Sequence, residues 1–141
     1  MSETVLKPLN WQPGAEVGYT VVRRPDGGML LTFTDALPAT LHHWRKFALE
    51  HLLDSDRLTR NLYDLRQLDT LPEEAIQYAV EVNNDPAARN IRLAVVAAKD
   101  QVRADLRRIA DLTRPGGVEM GLFMTLEEAE TWLDRPLTLQ V

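Results

Sequence analysis

The segment that most restricts this chain is IRLAVVAA, residues 91–98, in which Arg92 alone interrupts an apolar run. A short apolar run without polar alternation reads as a strand covered on both faces, and such strands occupy the middle of parallel sheets. Parallel neighbours cannot be joined by tight turns; they need crossovers, which are ordinarily helices. The rest of the sequence must therefore supply strands and helices in alternation.

It does so. VGYTVVRR and MLLTFT flank Asp26-Gly27, a dipeptide that tolerates the positive φ of a tight hairpin turn, and predict antiparallel strands at 17–24 and 29–34. Leu37, Leu41, Trp44, Phe47, Ala48 and Leu52 recur at helical spacing, which predicts a helix over 37–53 with Lys46 and Glu50 facing water. NLYDL predicts a strand at 60–66, and Ala75, Ile76, Ala79, Val80 and Asn83 mark a second helix. Val102, Leu106, Ile109, Ala110 and Thr113 mark a third, stopped by Pro115-Gly116-Gly117. VEMGLFM predicts a strand at 118–124, and Leu126, Ala129, Trp132 and Leu133 a last helix closed by Pro136.

This order predicts an α/β fold: an N-terminal β-hairpin leading into a mostly parallel sheet of about five strands with about four helices, joined by right-handed crossovers. Residues 1–16, broken by Pro8, Pro13 and Gly14, read as an N-terminal arm in which Trp11 needs a docking place. Residues 17–135 read as a single domain, and 136–141 as a tail that adds an edge strand or packs on a partner.

With 141 residues the chain suits one domain. It has no cysteine, which excludes disulfides and thiolate metal sites. No apolar run approaches the ~18 residues of a membrane span, and the first residues lack the layout of a signal peptide, so a cytoplasmic protein is expected. A net charge of −5 argues against a nucleic-acid partner and against an anionic membrane surface. His43 and His51 would lie about 12 Å apart along their helix, too far to share a metal. No phosphate-binding loop or H-E-x-x-H occurs, and Ser2 and Ser55 are the only serines. No catalytic set, metal or cofactor is expected, so a non-enzymatic role is the reading.

The layout, together with Asp64-Leu65 at a strand end, IRLAVVAA and the ending VEMGLFMTLEEAETWL, resembles the STAS superfamily of sulfate-transporter and anti-sigma-factor-antagonist domains over roughly residues 17–134. The nearest likeness is the stand-alone bacterial SpoIIAA-like branch, related by fold to the lipid-binding CRAL-TRIO/SEC14 domains. The resemblance implies a regulatory or protein-interaction domain. In the anti-sigma-antagonist family a kinase modifies a serine that opens the helix after the Asp-Leu strand, and Thr70 stands at about that place. In the lipid-binding relatives a groove between helices and sheet holds an acyl chain; Met29, Met120, Phe123 and Met124 are the residues expected to line one here.

Open α/β sheets bind ligands beyond the carboxyl ends of their strands. Asp64, Arg66, Asp69 and Thr70 follow one strand, Lys99 and Asp100 the next, and Thr125 the last, so these residues form the candidate binding corner. Thr70 has two readings. One is a phosphorylation site, since phosphate sits well on the free N–H groups of a helix start. The other is the N-cap of a capping box, Thr70-Leu71-Pro72-Glu73, a device that Thr125-Leu126-Glu127-Glu128 repeats. Asp64 is expected to pair with Arg66 or Lys99. Arg103, Arg107 and Arg114 share one side of the third helix and would seat an anion, unless Asp105 and Asp111 neutralise them along the helix, Asp105 through Arg108 and Asp111 through Arg107 or Arg114. Two functions remain. The first is binding of a protein partner or a second copy, as a homodimer, through the corner and the first helices; it calls for an exposed apolar patch of several hundred Å², on the order expected of interaction surfaces. The alternative is a module for a lipid or other apolar small molecule, calling for a cavity of roughly 300 Å³ or more.

Overall fold

The structure is a computed structural model that describes residues 10–11, 17–51, 59–115 and 117–135. Most of the arm, Leu52, Gly116 and the tail 136–141 lie outside the described residues. The hairpin strands are β2 (Tyr19–Arg23) and β3 (Met29–Phe33), paired antiparallel with Val21 opposite Leu31. Their turn is a three-residue loop. Gly27 N–H bonds to Arg24 C=O at 2.9 Å and Arg24 N–H to Gly28 C=O at 2.8 Å. Pro25 supplies the fixed φ of the first turn position, and Gly27 takes the φ of 92° that closes the loop. Within the stretch read as an arm, Asn10–Trp11 form a short strand, β1, antiparallel to β2.

Then follow α1 (Pro38–His51), β4 (Thr59–Asp64), α2 (Glu73–Asn83), β5 (Ile91–Val96), α3 (Asp100–Leu112), β6 (Val118–Phe123) and α4 (Leu126–Leu133). The six strands lie side by side in chain order, and β3 to β6 are parallel. Crossovers that share one hand and always step to the next strand must all return on the same side. Accordingly Trp44 and Phe47 of α1, Ile76 and Val82 of α2, and Val102, Leu106 and Ile109 of α3 join one core with Tyr19, Leu31, Phe33 and Val95 of the sheet. Helix α4, which no strand follows among the described residues, folds onto the opposite face, where Ala129 and Leu133 pack on Leu62, Ala94 and Val96. Strand β5 is thus covered on both sides, as its apolar run requires.

Arg92, the exception in that run, is buried. Its guanidinium donates to the carbonyls of Leu133, at 3.4 Å, and Arg135, at 2.9 Å, and to Glu119 at 3.2 Å. Arg60, directly opposite on β4, donates to the same two carbonyls at 2.6 and 3.2 Å. The carbonyls that a helix leaves unbonded at its C-terminal end are therefore held by two arginines from the sheet, with the charge sign that the helix dipole favours there. Arg135 lies over the Trp132 ring, 4.8 Å from its centroid, and completes the closure.

Three expectations need correction. Leu37 was assigned to the buried stripe of α1 but is 60% exposed. Pro38 opens the helix, so Leu37 stands outside it, its N–H held by the Asp35 carboxylate at 3.1 Å. The Thr70 cap does not form. Helix α2 begins at Glu73 with Pro72 as its extended N-cap, because a residue preceding proline is driven out of helical conformation and Leu71 cannot be the first helical residue. The Thr125 cap does form, its hydroxyl oxygen accepting from Glu128 N–H at 3.1 Å. Finally, two charges of α3 have partners that the sequence reading did not name: Arg108 bonds Glu73 of α2 at 2.8 Å, and Arg103 bonds Asp100, three residues earlier in its own helix.

Thr125→Ala is expected to destabilise the protein by about 1 kcal/mol, whereas Thr70→Ala should change it by less than about 0.5 kcal/mol; urea unfolding measures both. Arg92→Met should cost about 2 kcal/mol by the same method, since it strips buried acceptors of a charged donor. It should also raise hydrogen exchange in α4 before any other helix.

Candidate functional site

The parallel strands do bring the predicted corner together, because β4, β5 and β6 are adjacent and end on one rim. The charges there are engaged locally. Asp64 ends β4 and accepts from Arg66 three times: from its backbone N–H at 3.1 Å, from Nε at 2.9 Å and from the terminal nitrogen at 2.8 Å. The first of these is the two-residue turn that Asp side chains make with their own backbone, and it steers the chain out of the sheet. Burial alone would raise the Asp64 carboxyl, but the Arg66 hydrogen bonds and charge outweigh it and hold it below its usual 3.8. Lys99 reaches Asp69 at 3.5 Å, not Asp64, and Asp100 bonds Arg103 of its own helix. Thr70 is exposed in the turn, two residues before Pro72, the N-cap of α2.

The same turn contributes something else. Leu65 and Leu68 point inward, both nearly buried, and with Leu71 they border a cavity of about 90 Å³ between the sheet and the layer of α1, α2 and α3. Along β4 the lining runs from Asn61 through Tyr63 to Leu65, a span of roughly 13 Å at strand rise. Leu93, Val95 and Met120 continue it across the sheet, and Ala75, Ala79 and Val82 of α2 roof it. No charged side chain borders it among the described residues. Of the four residues expected to line a groove, Met120 does. Met29 packs in the same core without reaching the cavity, Phe123 packs against Trp132 on the other face of the sheet with the rings tilted by 49°, and Met124 is 58% exposed. The volume is well below the 300 Å³, roughly, that a drug-sized or larger ligand needs.

Three polar side chains interrupt the apolar wall. Tyr63 accepts from Trp44 Nε1 at 2.9 Å, and burial pushes its phenol far above the usual range, so its hydroxyl keeps its proton. Asn83, the last residue of α2, donates to Thr113 Oγ1 at 3.1 Å. Asn61, 2% exposed, accepts from Met29 N–H at 3.1 Å, which fixes the orientation of its amide. Sequence reasoning missed Asn61, although the signal is there: in Asn61-Leu-Tyr63-Asp-Leu65 the asparagine shares the inward face of its strand with tyrosine and leucine.

Among the described residues no helix is long and apolar enough to cross a membrane, and no group of three His, Asp or Glu is placed to hold a metal ion. Comparison with known proteins returned nothing: no family model, curated protein or solved structure matches the chain.

The depressed Asp64 carboxyl makes a signed prediction. Its folded value lies below its unfolded one, so the pair stabilises fully above about pH 4 and loses that contribution as pH falls through the folded value. Asp64→Asn should cost about 1 kcal/mol at pH 7. The gap between variant and wild type should shrink below pH 3.8, read by urea midpoints across pH.

Proposed function

We propose that the protein is a non-enzymatic binding module that holds a small, neutral, mainly apolar molecule between its helical layer and its sheet. The observation that carries this reading is the cavity itself. A void of about 90 Å³ forfeits about 2 kcal/mol relative to a filled core. Its roof is set by Ala75 and Ala79, side chains that any larger apolar residue would extend into the space. Apolar walls with a few polar groups are the usual composition of a small-molecule site. The STAS-like and CRAL-TRIO-like resemblance supports the same place, since the lipid-binding relatives use the groove between helices and sheet. The size restricts the ligand to something much smaller than a full acyl chain.

A protein-interaction role, which the same resemblance supports, has less behind it. The exposed large apolar residues among the described ones are Val22 on β2, Leu112 on α3, and Leu37 and Met124 in the loops before α1 and α4. The rim charges that would meet a partner are already paired with each other.

Ala79→Leu tests the cavity reading. The variant should be as stable as wild type or more so, and should weaken uptake of 2-butanone at least tenfold. Methyl NMR titrations following Leu65, Leu68 and Ile109 measure the uptake. Equal uptake by both proteins would place the ligand elsewhere.

A further inference from the structure

We infer that Asn61 is the polar anchor of the cavity, and that the ligand presents to it a neutral oxygen acceptor, a carbonyl or an alcohol, on a short aliphatic body. This deepens the reading above and rests on it. Asn61 is one of the least exposed residues of the sheet, at 2%. Its carbonyl oxygen is committed to Met29 N–H at 3.1 Å, so the NH₂ group is turned the other way. That NH₂ has no hydrogen-bond partner among the described residues, and the side chain borders the cavity. Among the described residues no fully buried side-chain nitrogen or oxygen lacks a partner, so this NH₂ opens on the space of the cavity, where an acceptor delivered by a ligand can bond it. Two donors on one nitrogen, with no cation nearby, select the charge state. A carboxylate or phosphate would enter an apolar space with no charged side chain at its wall. A neutral oxygen gains the bond without that penalty. Asn83 adds an acceptor to the same wall: its carbonyl oxygen has no partner among the described residues. The body of the ligand then extends from Asn61 toward Tyr63 and Leu65.

The test uses four probes of closely similar size on the full chain: 2-butanone, 1-butanol, pentane and butyrate, with dissociation constants from the Leu65, Leu68 and Ile109 methyl shifts. The Asn61 side-chain NH₂ resonance, identified by its loss in Asn61→Val, is followed in parallel. The ketone and the alcohol should bind at least tenfold more tightly than pentane and butyrate, and should move the Asn61 NH₂ signal, which pentane leaves in place. In Asn61→Val the preference for ketone over pentane should vanish. Asn61→Val also loses the bond to Met29, so the wild-type probe series stands as the measurement independent of folding. Pentane binding as tightly as the ketone in wild type overturns the anchor and leaves the cavity reading intact. Butyrate binding as tightly as the ketone overturns the neutral head. If no probe moves the methyl signals, the cavity reading falls and the anchor falls with it.

Discussion

Strands that follow one another across a sheet in chain order leave a chain little freedom in where its helices go. Each crossover of the same hand returns on the same side. Helices α1, α2 and α3 therefore crowd one face, and a single helix, α4, is left to cover the other. A doubly wound sheet opens a crevice where its strand order reverses, and ligands bind there. The parallel strands here never reverse. The rim at their carboxyl ends is consequently a row of turns without a cleft. The apolar cavity lies beneath the helical layer instead, and this asymmetry separates the two candidate sites.

The two faces are packed by different means. On the α4 side the backbone comes close to β4, β5 and β6, over Ala94 and Gly121. A side-chain carbon at Gly121 would stand 2.9 Å from the Phe123 ring and 3.0 Å from the Trp132 ring, so glycine leaves room for both rings there. Arg60 and Arg92 then fix the end of α4 through its carbonyls, a directional attachment that resists sliding. On the other side α1 and α3 each lie against α2. They rest on the sheet through Trp44, Phe47, Phe33 and Tyr63, rings whose edges and faces meet at 85° for Trp44 on Tyr63. Large rings at the margins and alanines between them hold a layer away from its sheet without filling what lies beneath.

How much of this was legible depended on whether the deciding physics was local. The alternation of apolar runs and helical stripes gave the element order, and IRLAVVAA placed β5 between two neighbours, because burial on both faces leaves a compositional mark. The Thr125 cap was legible for the same reason, since a cap is settled within four residues. Thr70 misled because the identical motif contains Pro72, whose effect on the residue before it outranks the cap. Arg92 could not be understood from its own strand. Its partners are carbonyls some forty residues further on, and only the fold of α4 onto the opposite face brings them near, with Arg92 reaching Arg135 O at 2.9 Å. Asn61 was visible as a polar residue in an inward register, but its unused donor appears only once Met29 is known to occupy its carbonyl.

The corner at Asp64 shows how one turn can serve two surfaces. Its polar side chains are paired: the buried Asp64 with Arg66, and the exposed Asp69 with Lys99 of the neighbouring turn. That pairing leaves the turn electrostatically closed, with little to offer an incoming charge. Between those polar residues, Leu65, Leu68 and Leu71 recur every third residue and turn toward the interior, where they border the cavity. The backbone bond from Leu68 N–H to Leu65 C=O, at 3.0 Å, holds the first two leucines in that orientation. The Asp64–Arg66 clasp is thus the outer support of an inner wall. What the sequence displays most prominently at this corner is its charge, and the chemistry that remains unspent lies behind it, on the apolar side, where a lone amide donor waits at the other end of the same strand.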